Sequence, residues 1–198
     1  MSKSKENPQL NRRDFFTLGF GKLKEKVPIA STVSSLRERR NRRPILRPPG
    51  ATPEEILSAK CTSCGDCVVA CQFEAIRLLD QRAGKYQGTP AIIPRIQPCL
   101  YCDDFPCVSA CKEGALTKEF LKMGVAEIDT KRCFNYNGGW CDSCFQKCPF
   151  SGKAIRFETG LTLKINPEFC TGCGICENAC PVAPPAIRVV PLEVNSAQ

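Results

Sequence analysis

Apolar residues along this chain fall into short, separated patterns. In NRRDFFTLGFGKLKEKV, Phe16, Phe20, Leu23 and Val27 recur at intervals of 4, 3 and 4. That spacing lies on one stripe of a helix. It predicts an amphipathic helix over residues 11–27, with Asn11 as cap and Asp14 in the first turn. Gly19 and Gly21 weaken the helix. A charged run, LRERRNRR, follows at 36–43 and reads as a solvated face or linker. RPPGATPEE at 47–55 predicts an extended, proline-stiffened linker, then a helix beginning at Pro53 and capped by Thr52. Further on, apolar and polar positions alternate in AIRFE and LTLKI, which flank Thr159-Gly160 and predict a β-hairpin. The same alanine-to-apolar step at Ala75-Ile76, Ala115-Leu116, Ala154-Ile155 and Ala186-Ile187 marks four strand starts. No segment approaches the ~20 apolar residues of a membrane span.

A group of four cysteines precedes each strand start. The groups are Cys61, Cys64, Cys67, Cys71; Cys99, Cys102, Cys107, Cys111; Cys133, Cys141, Cys144, Cys148; and Cys170, Cys173, Cys176, Cys180. The repeating unit is thus a cysteine loop, a short helical turn and a strand. Two such units make one ferredoxin-like half, and the chain of 198 residues holds two halves. The expected fold class is α+β: tandem bacterial two-cluster ferredoxin-like halves of short strands and short helices, behind an N-terminal helical arm. The arm covers residues 1–51 and the cluster domain 52–198.

Sixteen cysteines with no histidine admit three chemistries. Disulfides suit small secreted domains, but C-x2-C pairs are too close to bridge without strain. Structural zinc takes four ligands, often from two separate knuckles. Iron–sulfur clusters take runs of the C-x2-C-x2-C-x3-C-P kind, and CTGCGICENACP at 170–181 is such a run. The spacing selects four [4Fe-4S] clusters held by all sixteen cysteines. In such runs the first three cysteines share a tight loop, and the fourth faces away to the other cluster of a pair. That crossing staples distant segments. It accounts for a modest apolar core, since the hydrophobic 42% includes the cysteines. Gly65, Gly172 and Gly174 allow close backbone approach in these loops.

Charge changes the picture little. The net charge is +8, but residues 1–47 carry +9 and the remainder −1. An oxidised cluster with its four thiolates carries about two negative charges, and an ion's own charge belongs in the account. Four of them bring the loaded protein near neutrality, leaving a basic arm on a cluster body. No nucleic-acid recognition motif accompanies the basic residues, which sets aside a zinc-rich structural or nucleic-acid-binding module. Walker, dinucleotide and radical-enzyme signatures are absent, as is histidine, the commonest general base. The chain reads as an electron carrier and not an enzyme. Phe134, Tyr136 and Trp140 in the long gap of group three read as a shield for the third cluster. Asp103 and Asp104 read as a solvated pair at a loop tip.

The spacings of all four groups resemble four-cluster ferredoxin-type electron-transfer proteins. ILRPPGA before the first group and CFNYNGGWCDSCFQKCP in the third are similar to the NapG/MauM type of periplasmic nitrate reductase and methylamine utilisation systems. The resemblance runs from about residue 45 to 192. In four-cluster relatives the groups pair as one with four and two with three. Carried over, cluster one takes Cys61, Cys64, Cys67 and Cys180, and cluster four takes Cys170, Cys173, Cys176 and Cys71. Cluster two takes Cys99, Cys102, Cys107 and Cys148, and cluster three takes Cys133, Cys141, Cys144 and Cys111. The halves are then groups one plus four and two plus three. Gln72 and Lys112 depart from the Cys-Pro step kept at Cys148-Pro149 and Cys180-Pro181.

The expected function follows. The chain relays single electrons between a catalytic oxidoreductase subunit, of molybdenum, tungsten, flavin or hydrogenase type, and a quinone-linked or soluble carrier. Helix 11–27 is the expected docking element. Arg12-Arg13 before Asp14-Phe15-Phe16 resembles the start of a twin-arginine export signal, but Lys22, Lys24, Glu25 and Lys26 interrupt the apolar segment such signals need. The expectation is therefore a cytoplasmic protein, free or membrane-associated. Its alternative is a NapG-like exported one, passing electrons from a membrane quinol dehydrogenase to a periplasmic reductase.

Overall fold

The computed structural model describes residues 44–158 and 160–192. The expected helix at 11–27 and the charged run at 36–43 lie outside the described residues. Helix α1 (Glu54–Lys60) opens the cluster body, with Glu54 and Glu55 in its first turn and Lys60 in its last, the polarity a helix dipole favours. Thr52 does not cap it. The position before Glu54 is Pro53, without a side-chain cap, and the Thr52 hydroxyl donates instead to the Ala115 carbonyl at 3.1 Å. The Thr52 backbone N–H reaches the same carbonyl at 3.1 Å.

Next come α2 (Asp66–Val69), β1 (Ile76–Leu78), a 3-10 turn (Gln81–Tyr86) and β2 (Pro90–Ile92), followed by α3 (Pro106–Ser109) and β3 (Gly124–Ile128). Then follow α4 (Ser143–Lys147), β4 (Ile155–Phe157), β5 (Leu163–Ile165), α5 (Ile175–Ala179) and β6 (Ile187–Pro191). The strands form three antiparallel pairs, β1 with β2, β3 with β6 and β4 with β5. The hairpin across Thr159-Gly160 forms as its alternation predicts, with Ile155 opposite Ile165 and Phe157 opposite Leu163.

Three of the four strand starts open strands. At the fourth, Leu116 makes only an isolated bridge to Ala51. The cause lies in the neighbouring segment. Gly50, with φ at +86°, turns the chain there, and Thr117 N–H bonds the Gly50 carbonyl. A chain that turns this sharply cannot extend a ladder. The same segment is latched by Arg47, which pairs with Glu54 and donates to the Thr89 hydroxyl and, at 2.7 Å, to the Pro90 carbonyl.

Two small apolar cores result. One gathers Leu46, Leu57, Ile76, Ile92, Val108 and Leu116, and the other Ala126, Ile155, Leu163 and Ile187. Cysteines are members of both: Cys67, Cys99, Cys107 and Cys173 in the first, Cys144 in the second. A core built partly of thiols is stable only as far as those thiols are satisfied, which turns attention to what they surround.

Candidate metal centres

Each helical turn carries the third cysteine of its group: Cys67 on α2, Cys107 on α3, Cys144 on α4 and Cys176 on α5. The fourth cysteine stands at or just past the end of the same turn, so it projects away from the first three. α2 packs on α3, and α4 packs on α5. The crossing therefore happens between consecutive groups.

Four cavities follow from this packing, each lined by four cysteines. The first holds Cys61, Cys64, Cys67 and Cys111. The second holds Cys71, Cys99, Cys102 and Cys107. The third holds Cys133, Cys141, Cys144 and Cys180, and the fourth Cys148, Cys170, Cys173 and Cys176. All sixteen expected cysteines are brought to a cavity, and each loop trio stays together. The cavity linings differ from the nested pairing. Beside the first trio lies Cys111, where nesting expects Cys180; beside the second, Cys71 in place of Cys148; beside the third, Cys180 in place of Cys111; and beside the fourth, Cys148 in place of Cys71. By lining, group one goes with group two and group three with group four. The physical reason is local: the antiparallel return of β1 on β2 lies between groups one and two, and that of β4 on β5 between groups three and four. Each return folds consecutive turns onto each other.

The quartets suit a polynuclear group. Among the described residues, no three His, Cys, Asp or Glu side chains lie close enough to hold a single metal ion. Tetrahedral zinc needs its thiolates at about 2.3 Å from one point. Here the thiols of each quartet line a shared pocket without converging on one such point. The electrostatics agree. Burial pushes the Cys99 thiol up to about 12, despite the N–H of Tyr101 directed at its sulfur. Burial first, then the neighbouring Cys61 and Cys111, pushes Cys67 up to about 11. Burial, then Cys141, Cys133 and Cys180, pushes Cys144 up to about 12. Buried thiols crowded together resist becoming thiolates unless cationic metal compensates them.

Backbone donors already point at sulfur. Leu116 N–H reaches Cys111 Sγ at 3.4 Å, Ala126 N–H reaches Cys170 Sγ at 3.4 Å, and Ala186 N–H reaches Cys180 Sγ at 3.3 Å. Such donors tune a cluster's potential. The expected aromatic shield divides. Phe134 lines the third cavity. Trp140 does not; it stacks on Phe157 with ring centroids 5.4 Å apart and is 61% exposed. Asp103 and Asp104 are exposed, as a solvated pair would be.

Comparison with known proteins agrees with this division. One model of a 4Fe-4S dicluster domain matches residues 60–115, and another 4Fe-4S dicluster model matches residues 126–189. The chain is similar to ferredoxin-type protein NapG of Escherichia coli strain K12, 38% identical over 169 residues, covering 77% of this chain and 73% of the relative. It is 39% identical over 164 residues to methylamine utilization ferredoxin-type protein MauM of Methylorubrum extorquens, covering 76% of this chain and 74% of the relative. MauM of Paracoccus denitrificans is 38% identical over 163 residues, with 76% and 73% covered. Two dicluster domains carry four [4Fe-4S] clusters. With paired cysteine groups, two matched dicluster domains and these relatives, the chain belongs to the NapG/MauM family of ferredoxin-type electron-transfer proteins.

Proposed function

We propose that this chain is the relay subunit of an oxidoreductase complex, carrying single electrons between a catalytic subunit and a quinone-linked or soluble carrier. We assign the cluster ligands by cavity: Cys61, Cys64, Cys67 and Cys111; Cys71, Cys99, Cys102 and Cys107; Cys133, Cys141, Cys144 and Cys180; Cys148, Cys170, Cys173 and Cys176. The observation that carries this reading is the gathering of sixteen thiols four by four around separate cavities. Bound clusters supply one-electron chemistry; the chain's own residues bury them, aim N–H donors at their sulfurs and exclude water.

Single-cysteine variants test the assignment. Cys71→Ser should alter the spectrum of the second cluster and Cys111→Ser that of the first, in anaerobic low-temperature EPR of the reduced protein. If Cys71→Ser instead altered the cluster of Cys170, Cys173 and Cys176, the nested arrangement would be restored.

The partner on the catalytic side is of molybdenum, tungsten, flavin or hydrogenase type, and the segment 11–27, expected from its sequence to be helical, is the docking element. Deleting residues 1–40 should abolish complex formation and leave iron content intact. Among the described residues, no helix is long and apolar enough to cross a membrane. The first reading places the chain in the cytoplasm. The likeness to NapG and MauM favours a second, in which it is exported and receives electrons from a membrane quinol dehydrogenase. Fractionation of native cells with N-terminal sequencing separates them: a full-length cytoplasmic chain supports the first, a processed or relocated chain the second.

A further inference from the structure

The two dicluster units meet at a seam, and that seam joins the second quartet to the fourth. The Cys99 N–H donates to the Cys173 carbonyl at 3.0 Å. Beside it, Asn178 Nδ2 on α5 donates to the Pro94 carbonyl at 2.9 Å. Gly174 lies so near Pro94 that a Cβ would stand 2.6 Å from the proline ring. Loop 170–176 is therefore seated on the first unit with no room to spare.

Tyr101 bridges the two units at the seam. Its ring is edge-on to Phe105 at 5.0 Å and to Phe150 at 5.9 Å. Phe105 lines the second cavity and Phe150 the fourth. The two outer junctions are set within each unit. α2 packs on α3 between the first and second quartets, and α4 packs on α5 between the third and fourth.

We propose that electrons cross the four sites in the order first, second, fourth, third, and that Tyr101 with the Asn178–Pro94 contact holds the middle step. Groups three and four thus enter the path in the reverse of their chain order. The middle step moves one electron from a reduced second site to an oxidised fourth site, or back; no bond forms or breaks and no proton moves. The ends of the path are the first and third sites. This inference rests on the quartets assigned above.

The test uses the full chain with its clusters, reduced stepwise with dithionite under anaerobic conditions, and reads magnetic coupling between sites by EPR. Cys99→Ser marks the second site and Cys133→Ser the third. Marking the second should change the splitting of both the first and the fourth; marking the third should change the fourth alone. Splitting between first and fourth, with none between second and fourth, would overturn the order. Two variants retain every cysteine and so avoid loss of folding through lost ligands. Tyr101→Ala and Asn178→Leu should keep full iron content and lose the splitting between the second and fourth sites, whereas Tyr101→Phe should keep it. Retention of the splitting in both Tyr101→Ala and Asn178→Leu would overturn the role given to the seam. Failure of the quartets themselves gives a different signal: Cys71→Ser would then leave the second site's own spectrum unchanged.

Discussion

A single glycine shows how tightly the loops are built. Gly172 adopts φ of +75°, and a Cβ there would fall 2.3 Å from the Gly124 backbone nitrogen. The left-handed backbone costs a non-glycine residue about 1–2 kcal/mol, and overpacking against rigid backbone adds about 1–3 kcal/mol. Gly172→Ala should therefore lower the stability of the loaded protein by roughly 3 kcal/mol in denaturant titration; a loss under about 1 kcal/mol would contradict the crowding. That a glycine was needed is legible in the sequence. Its reason was not, because the backbone it clears belongs to β3, some fifty residues earlier in the chain. The aromatics of group three teach the same lesson. Phe134 lines the third cavity, whereas Trp140 stacks outside on Phe157. Phe134→Ala should speed oxidative bleaching of the third cluster in air and Trp140→Ala should not, as followed by visible absorbance.

At the scale of elements, local patterns translated directly and distant ones did not. The β4–β5 hairpin formed where alternation and Thr159-Gly160 predict it, because both strands and their turn lie in one short stretch. The strand expected at Ala115-Leu116 met a turning partner, the segment around Gly50. Thr52 was drawn from its expected cap to the same place. The latch of that segment is Arg47, a buried guanidinium 8% exposed, with Glu54, Thr89 and Pro90 as partners and Tyr86 beneath it at 5.4 Å. Hydrogen bonds to a charged group contribute about 1.5–3 kcal/mol. Arg47→Ala should cost about 3 kcal/mol in chemical unfolding, and Leu57→Ala, at the fully buried side chain of α1, about 2–5 kcal/mol. Arg47 pairs with Glu54 on the helix that carries Leu57, so their double variant tests whether this segment unfolds as a unit: losses that fall short of additive indicate shared unfolding.

For the molecule as a whole, stability and function share one source. The two apolar cores are small, and thiols that face the cavities are counted among their members. Chelating the iron under anaerobic conditions should therefore abolish visible absorbance and far-ultraviolet ellipticity together. Ellipticity that survived complete loss of iron would mean that the apolar cores suffice alone. The cysteine spacing by itself determined the cofactor and its number, and it set the expectation for the sixteen residues around it, because three thiols on one loop need only local geometry to converge. The same spacing left open where each fourth cysteine goes. Every group sends one away from its loop, and any other group could receive it. In the proposed assignment, folding decides that matter through the packing of α2 on α3 and α4 on α5, and the order of the sites through a seam that sets Cys99 against Cys173. Those contacts join residues far apart in the chain, and no periodicity within a group encodes them.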